Sequence, residues 1–138
     1  MTQDYLGTKQ VTAWVQQKDG ADGYAVKYSD GYTSWSPKAI FEEAYRPVTG
    51  LSFGLAVEAL KMGKRVARSG WNGKGMWLVL DPGSVVSEVR EGSAYHKAGV
   101  TGSFTINPHI DMKTATGEMQ PGWLASQTDM LADDWMIV

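Results

Sequence analysis

Apolar residues recur at helical spacing in two places along the chain. Phe53, Ala56, Val57 and Leu60 fall on one face of a helix predicted over residues 53–62. Ser52 stands before it as an N-cap and Gly63 follows it at the C′ position. Ile40, Phe41 and Ala44 share a face of a second helix, predicted from residue 37 to about residue 45. There Ser36 is read as the cap, Pro37 as the first helical residue and Pro47 as the stop. Strand signals surround these helices. Residues 23–28 and 32–36 flank Ser29-Asp30-Gly31, whose Asp-Gly pair suits a tight hairpin turn. Tyr24, Val26 and Tyr28 alternate onto one face, and so do Tyr32 and Ser34. Residues 11–17 form a strand of less regular alternation.

Further along, residues 64–68 read as a strand and residues 76–80 as a buried one. Residues 87–103 are polar and aperiodic, which predicts a surface loop. Residues 109–114 alternate, with Ile110 and Met112 on one face and Asp111 on the other. Residues 118–120 return as a short strand. The stretch from Pro121 to Trp135 reads as a turn, a short helix and the start of a final strand over residues 135–138. The predicted fold class is α+β: a small, mainly antiparallel sheet with short helices, preceded by a β-hairpin-plus-helix module. The boundary falls near residues 48–51, giving modules of residues 1–48 and 51–138. The first is too small to carry much core, so it is expected to lean on the second or on another copy.

Composition narrows the function classes. The chain has 138 residues, 43% of them hydrophobic and 20% charged, as in ordinary soluble domains. A net charge of −2 gives no global basic field for DNA. The absence of cysteine removes disulfides, thiol chemistry and cysteine-based zinc sites. No apolar run approaches a membrane span, and the first residues lack the pattern of a signal peptide, so the expected location is a reducing cytoplasm. Six tryptophans are many for this length, and Trp serves cores, interfaces and stacking sites alike.

Several stretches carry candidate chemistry. Ser126 precedes the short C-terminal helix at a capping position, and Asp129 completes a Ser-x-x-acid spacing. Ser126, Gln127, Thr128 and Asp129 gather polar groups and free N–H groups at one helix start. That suits a phosphate or a hydroxyl-rich ligand, although a packed C-terminal corner explains the same spacing. The run Gly70-Trp-Asn-Gly-Lys-Gly75 matches neither a nucleoside-triphosphate loop nor a dinucleotide fingerprint, and a hairpin turn wants the same Asn-Gly. Lys61, Lys64, Arg65, Arg68 and Lys74 form a local basic patch beside Trp71, which reads either as a protected sheet edge or as a nucleotide grip. The row Tyr24, Tyr28, Tyr32 and Trp35 is either a platform for bases or, on general packing grounds the better reading, a face covered by its own helix. His109 and Asp111 share a strand face, but two ligands do not make a metal site. Asp133 and Asp134 are adjacent and point apart on an extended chain. No catalytic set emerges, so a binding protein is favoured over an enzyme.

Two longer motifs then become recognisable. Ser52-Phe-Gly-Leu-Ala-Val-Glu-Ala-Leu-Lys-Met-Gly-Lys-Arg-Val-Ala-Arg-Ser-Gly-Trp-Asn-Gly-Lys-Gly-Met-Trp-Leu78 resembles the start of the Thoeris anti-defence two family. Ile110-Asp-Met-Lys-Thr, followed by residues 121–135, resembles its end. The resemblance brackets residues 51–138. It does not extend to residues 1–48, where Tyr5-Leu-Gly-Thr-Lys and Asp30-Gly-Tyr-x-Ser-Trp-Ser-Pro-Lys resemble a leader on assorted small phage proteins. The family resemblance implies a phage-encoded sponge without cofactor or enzymatic activity. Such a protein acts in the cytoplasm of the infected bacterium and sequesters cyclic ADP-ribose isomers, glycocyclic ADP-ribose among them, made by TIR-domain proteins. It also implies homo-oligomers, commonly tetramers, with pockets at subunit interfaces, and uptake of cyclic dinucleotides in another pocket by some relatives. DNA and membranes are not implied as partners. On that footing Phe53 and Trp71 would sandwich adenine, Asn72 would read its edge or bond ribose, and Arg65 and Arg68 would pair with the pyrophosphate. Ser126, Gln127, Thr128 and Asp129 would bond phosphate and ribose hydroxyls, Trp123 would form a wall, and Asp111 would orient a basic partner. The rival classes are a hydrolase of the same signal and a phage structural or interaction protein.

Overall fold

A computed structural model describes residues 1–71 and 75–138. Residues 72–74, and with them the Asn72 and Lys74 assignments and the centre of the glycine-rich run, lie outside the described residues. The fold is α+β. Strands β1 (Thr12–Val15), β2 (Gly23–Lys27) and β3 (Thr33–Pro37) form an antiparallel sheet in that order, followed by helix α1 (Lys38–Ala44). The hairpin turn forms as predicted, with the Tyr32 N–H donating to Asp30 Oδ1 at 2.9 Å. Two expectations for this module need correction. Ser36 does not cap α1. The β2–β3 ladder runs on to the Gly23–Pro37 pair, which holds Ser36 in extended backbone and leaves Pro37 at the cap position without a side-chain bond. Trp35 also leaves the tyrosine row. It pairs across from Ala25, while Tyr24 pairs with Ser36, so the two rings point to opposite faces. Tyr24 stacks on Phe41 at 4.3 Å and Phe41 on Tyr45 at 4.8 Å, so the helix covers that end of the face.

The second module contains helix α2 (Phe53–Lys61) and a five-stranded antiparallel sheet. Its strands are β4 (Val66–Arg68), β5 (Trp77–Asp81), β8 (His109–Lys113), β9 (Met119–Pro121) and β10 (Trp135–Ile137), ordered β10-β4-β5-β8-β9. The N-cap of α2 is as expected: Ser52 Oγ accepts from the Leu55 N–H at 3.3 Å. Its end is a Schellman motif. The Gly63 N–H bonds Leu60 O and the Lys64 N–H bonds Ala59 O, with Gly63 at φ +83°. Ala56, Ala59 and Leu60 of α2 meet Leu51, Val66, Leu78 and Trp135 in the core. Trp135 and Leu78 are fully enclosed.

Strand β5 is not buried throughout. Leu78 is, but its neighbours are half-buried, because the sheet face away from α2 remains partly open. The stretch expected to be a loop contains helix α3 (Ala94–Lys97), capped by Ser93. It is flanked by a two-stranded ribbon of β6 (Ser84–Val86) and β7 (Phe104–Ile106). Strand β6 carries too few residues to show a period, and its pairing is non-local. Gly83, at φ +78°, begins this ribbon because a Cβ there would collide with the Ile106 carbonyl. The final helix, α4 (Gln127–Met130), sits where the sequence placed it. No helix among the described residues is long and apolar enough to cross a membrane.

Candidate functional site

The β4–β5–β8 register sorts the predicted site residues onto two faces of the sheet. Val66 pairs with Leu78, Leu78 with Met112, and Leu80 with Ile110, all on the side packed by α2. Alternation then puts Arg68 on that side and Arg65 on the other. Asp111, paired with Val79, also faces away from α2. The structure therefore gathers Phe53, Arg68, Trp71, Trp123, Ser126 and Asp129 into one cluster and separates Arg65 and Asp111 from it.

The cluster is built around Trp135. Phe53 and Trp71 lie 5.4 and 5.3 Å from its ring, and Trp123 lies 6.1 Å away. Trp123 also meets Phe53 at 6.4 Å and Trp71 at 6.2 Å. The Trp71 and Trp123 contacts are edge-on, the arrangement ring quadrupoles favour. Trp135 is enclosed, whereas Phe53, Trp71 and Trp123 are half-buried and keep part of each ring at the surface. The Trp135 indole N–H donates to the Asp129 carbonyl at 2.9 Å, which ties α4 to the core. That tie supplies what a four-residue helix lacks in isolation.

A polar knot lies beside the rings. Arg68 donates from Nη1 to Asp129 Oδ1 at 2.7 Å and from Nε to Asp134 Oδ1 at 2.8 Å. The Trp71 indole N–H reaches the same Asp129 oxygen at 3.1 Å. Asp134 Oδ2 takes the Gly70 N–H at 2.7 Å and the Ser69 hydroxyl at 3.3 Å. Ser126 Oγ caps α4 by accepting from the Asp129 N–H at 3.0 Å. The Asp129 side chain does not return the bond, because it points to Arg68 and Trp71 instead. Burial pushes the Asp129 pKa up, but bonds from Arg68, Trp71 and Ser126 outweigh it and hold the carboxyl below its usual range. The Arg68 hydrogen bond does the same for Asp134. Both carboxylates are thus fixed, ionised acceptors, and Arg68 is already neutralised within the chain. Gln127 and Thr128, on the first turn of α4, are exposed with Ser126.

On the other face, the Arg65 guanidinium sits 5.0 Å over the Trp77 ring and Lys113 Nζ lies 5.9 Å from it. Asp111 lies beside His109 and, across the strand pair, Asp81. A separate cleft of about 1060 Å³ opens between the two modules, lined by residues such as Val11, Tyr24, Phe41, Leu55 and Met62. Among the described residues, none of those predicted for the site lines it.

Trp135 is the residue whose role the sequence only hinted at. The sequence marks it as the start of the final strand, but not as the hub joining the aromatic cluster to α4. Comparison with known proteins adds an independent finding. Residues 51–138 match the family model described as the Thoeris anti-defense 2-like domain. A protein named Thoeris anti-defense 2, from Bacillus phage SP01, is 44% identical over 92 residues, covering 65% of this chain and 97% of the phage protein.

Proposed function

Because the chain belongs to the Thoeris anti-defense 2-like family, we propose that it serves a phage anti-defence role by binding a cyclic ADP-ribose-type signal and holding it without cleavage. The observation that carries this reading is the half-buried indole and phenyl surface of Phe53, Trp71 and Trp123, bordered by the exposed first turn of α4. Aromatic surface binds a nucleobase by stacking, and exposed hydroxyl and amide groups bond ribose and phosphate. Ser126, Gln127 and Thr128 supply those groups. Arg68 acts by holding Asp129 and Asp134 in place, since a phosphate approaching it would meet two carboxylates. Arg65 and Asp111, on the opposite face, lie outside this reading.

Two features support sequestration over catalysis. The nearby carboxylates are held ionised by fixed donors, which makes them poor proton shuttles. The half-buried rings of Phe53, Trp71 and Trp123 also offer a bound ligand neither acid nor base, and we expect a second subunit to enclose it. We take the site to be completed in a homo-oligomer, a tetramer being the expected form, acting in the cytoplasm of the infected cell. Cyclic dinucleotides are expected in a separate pocket.

The test is capture and release. Purified protein is mixed with cyclic ADP-ribose isomers and filtered, the retained protein is heated, and both fractions are analysed by mass spectrometry. Intact ligand that leaves the filtrate and returns on heating supports a sponge. A linear product would show a hydrolase, and ligand that never leaves the filtrate would overturn the proposal. Trp71→Ala should abolish capture while leaving the oligomer assembled. Trp71→Phe, which keeps a ring but loses the indole N–H to Asp129, should retain part of it.

A further inference from the structure

On the sheet face away from α2, the β5–β8 register sets Asp81 directly across from His109, and Asp111 follows His109 two residues on. Asp81, His109 and Asp111 bring one ligand-type atom each to within 4.8 Å of one another. His109 Nε2 lies 3.7 Å from Asp81 Oδ2 and 3.5 Å from Asp111 Oδ1. Both separations are too long for good hydrogen bonds, which run at about 2.7–3.2 Å. They suit two ligands on a common ion. With bonds of about 2.0–2.1 Å, neighbouring ligands on a tetrahedral ion stand about 3.4 Å apart. On an octahedral ion of the same bond length, neighbours stand about 2.9 Å apart.

Each ligand is also prepared on its far side. His109 Nδ1 lies 2.8 Å from the Asn107 carbonyl, a contact that in the neutral ring puts the proton on Nδ1 and turns the Nε2 lone pair toward the carboxylates. Asp81 Oδ1 accepts the Gly83 N–H at 2.8 Å, which leaves Oδ2 to point at the histidine. Asp111 Oδ1 is enclosed and has no hydrogen-bond partner among the described residues. An enclosed carboxylate oxygen without a donor is costly unless a cation meets it. Asp81 and His109 keep 45% and 29% of their side-chain surface, so ions have a path in and water can take a fourth position.

We infer that Asp81, His109 and Asp111 form a three-ligand site for a divalent transition-metal ion of the zinc class, with one position open to water. The two carboxylates neutralise the ion, and the neutral imidazole supplies the nitrogen ligand that favours zinc-class ions over magnesium or calcium. The site joins β5 to β8 on the face that carries none of the aromatic cluster. It is therefore independent of the ligand surface proposed above. The occupant that competes for His109 is a proton. The Asn107 carbonyl, and then Asp111 and Asp81, make the ring easier to protonate than usual.

The test uses the full-length, tag-free protein stripped with chelator and titrated near pH 8 with zinc by calorimetry and with cobalt by visible absorption. One ion per chain is expected, with intense tetrahedral cobalt bands and a melting temperature that zinc raises and chelator lowers again. His109→Gln and Asp111→Asn should each weaken binding by about 100-fold or more, the upper end of what losing even a supporting group costs. His96→Gln should leave stoichiometry and affinity unchanged. Asp81→Asn, at the most exposed ligand, is the variant to read if either of the other two fails to fold by circular dichroism. Absence of saturable binding of either metal would overturn the inference. So would binding that survives His109→Gln and Asp111→Asn in folded protein. A weak octahedral cobalt spectrum would overturn the tetrahedral assignment.

Discussion

The two faces of the five-stranded sheet are made from the same materials in opposite arrangements. On the α2 face, Arg68 stands between Asp129 and Asp134 while the tryptophans pack on one another. On the other face, Arg65 and Lys113 lean over Trp77, and Asp81 and Asp111 converge on a histidine. The first pairing neutralises charge within the chain and leaves aromatic surface as the feature a ligand can use. The second leaves carboxylate charge without a full partner and takes the cations away from it. A cation beside a tryptophan is thus not enough to locate a nucleotide grip. What matters is whether the cation is already claimed, and by which neighbour.

The largest effect should come from the residue on which the α2 face depends. Trp135→Ala removes a fully enclosed indole, which costs about 3–5 kcal/mol in protein cores. It also frees α4, so residues 126–132 should lose amide-exchange protection before the rest of the module. Urea unfolding with exchange read by mass spectrometry would check both. If α4 stays protected in this variant, the hub role of Trp135 is wrong.

Next in size is the knot itself. Arg68→Ala strands two partly buried carboxylates, and after discounting for partial exposure the loss should be about 2–3 kcal/mol. Adding Asp129→Asn and Asp134→Asn to Arg68→Ala should restore part of it, because the stranded charge is then gone. If the triple variant is less stable than Arg68→Ala by the full cost of each further change, the charge argument fails.

The same carboxylates set a pH dependence. Asp129 and Asp134 titrate lower in the folded state than unfolded, where an aspartate sits at about 3.9. Their contribution is complete above that value and is lost as pH falls through the depressed folded values. Stability should therefore drop steeply below about pH 4. In Asp134→Asn the acid limb should be shallower, and an unchanged limb would remove Asp134 from the account.

Which parts of this were readable from sequence follows from the range of the interactions. The Ser52 and Ser126 caps and the Gly63 stop each involve groups within a few residues, so their signatures survive in the linear chain. Ser36 carries the same signature but fails as a cap, because a sheet ladder elsewhere claims its backbone. The Arg68 bonds to Asp129 and Asp134 span 61 and 66 residues, and no local pattern encodes them. Without those partners Arg68 reads as a free cation for a phosphate. Likewise His109 and Asp111 look like two ligands in sequence, and only the β5 register adds Asp81. The ribbon of β6 and β7 was missed because short strands without alternation carry no periodic signal.

The smallest effect belongs to the cations over Trp77. Arg65 is exposed and Lys113 half-buried, and cation–ring contacts at such sites are worth about 0.5–1 kcal/mol. Lys113→Ala should therefore cost under about 1 kcal/mol, several-fold less than Arg68→Ala. Part of that loss is the aliphatic stem lying on the indole and not the charge. Lys113→Met separates the two, since it keeps a stem of similar reach and drops the ammonium. The charge argument expects Lys113→Met to recover only part of the loss and to show less salt dependence than the parent. Full recovery, measured by urea unfolding at low and high salt, would mean that Lys113 holds Trp77 by packing and not by charge, leaving Arg65 as the cation over that ring.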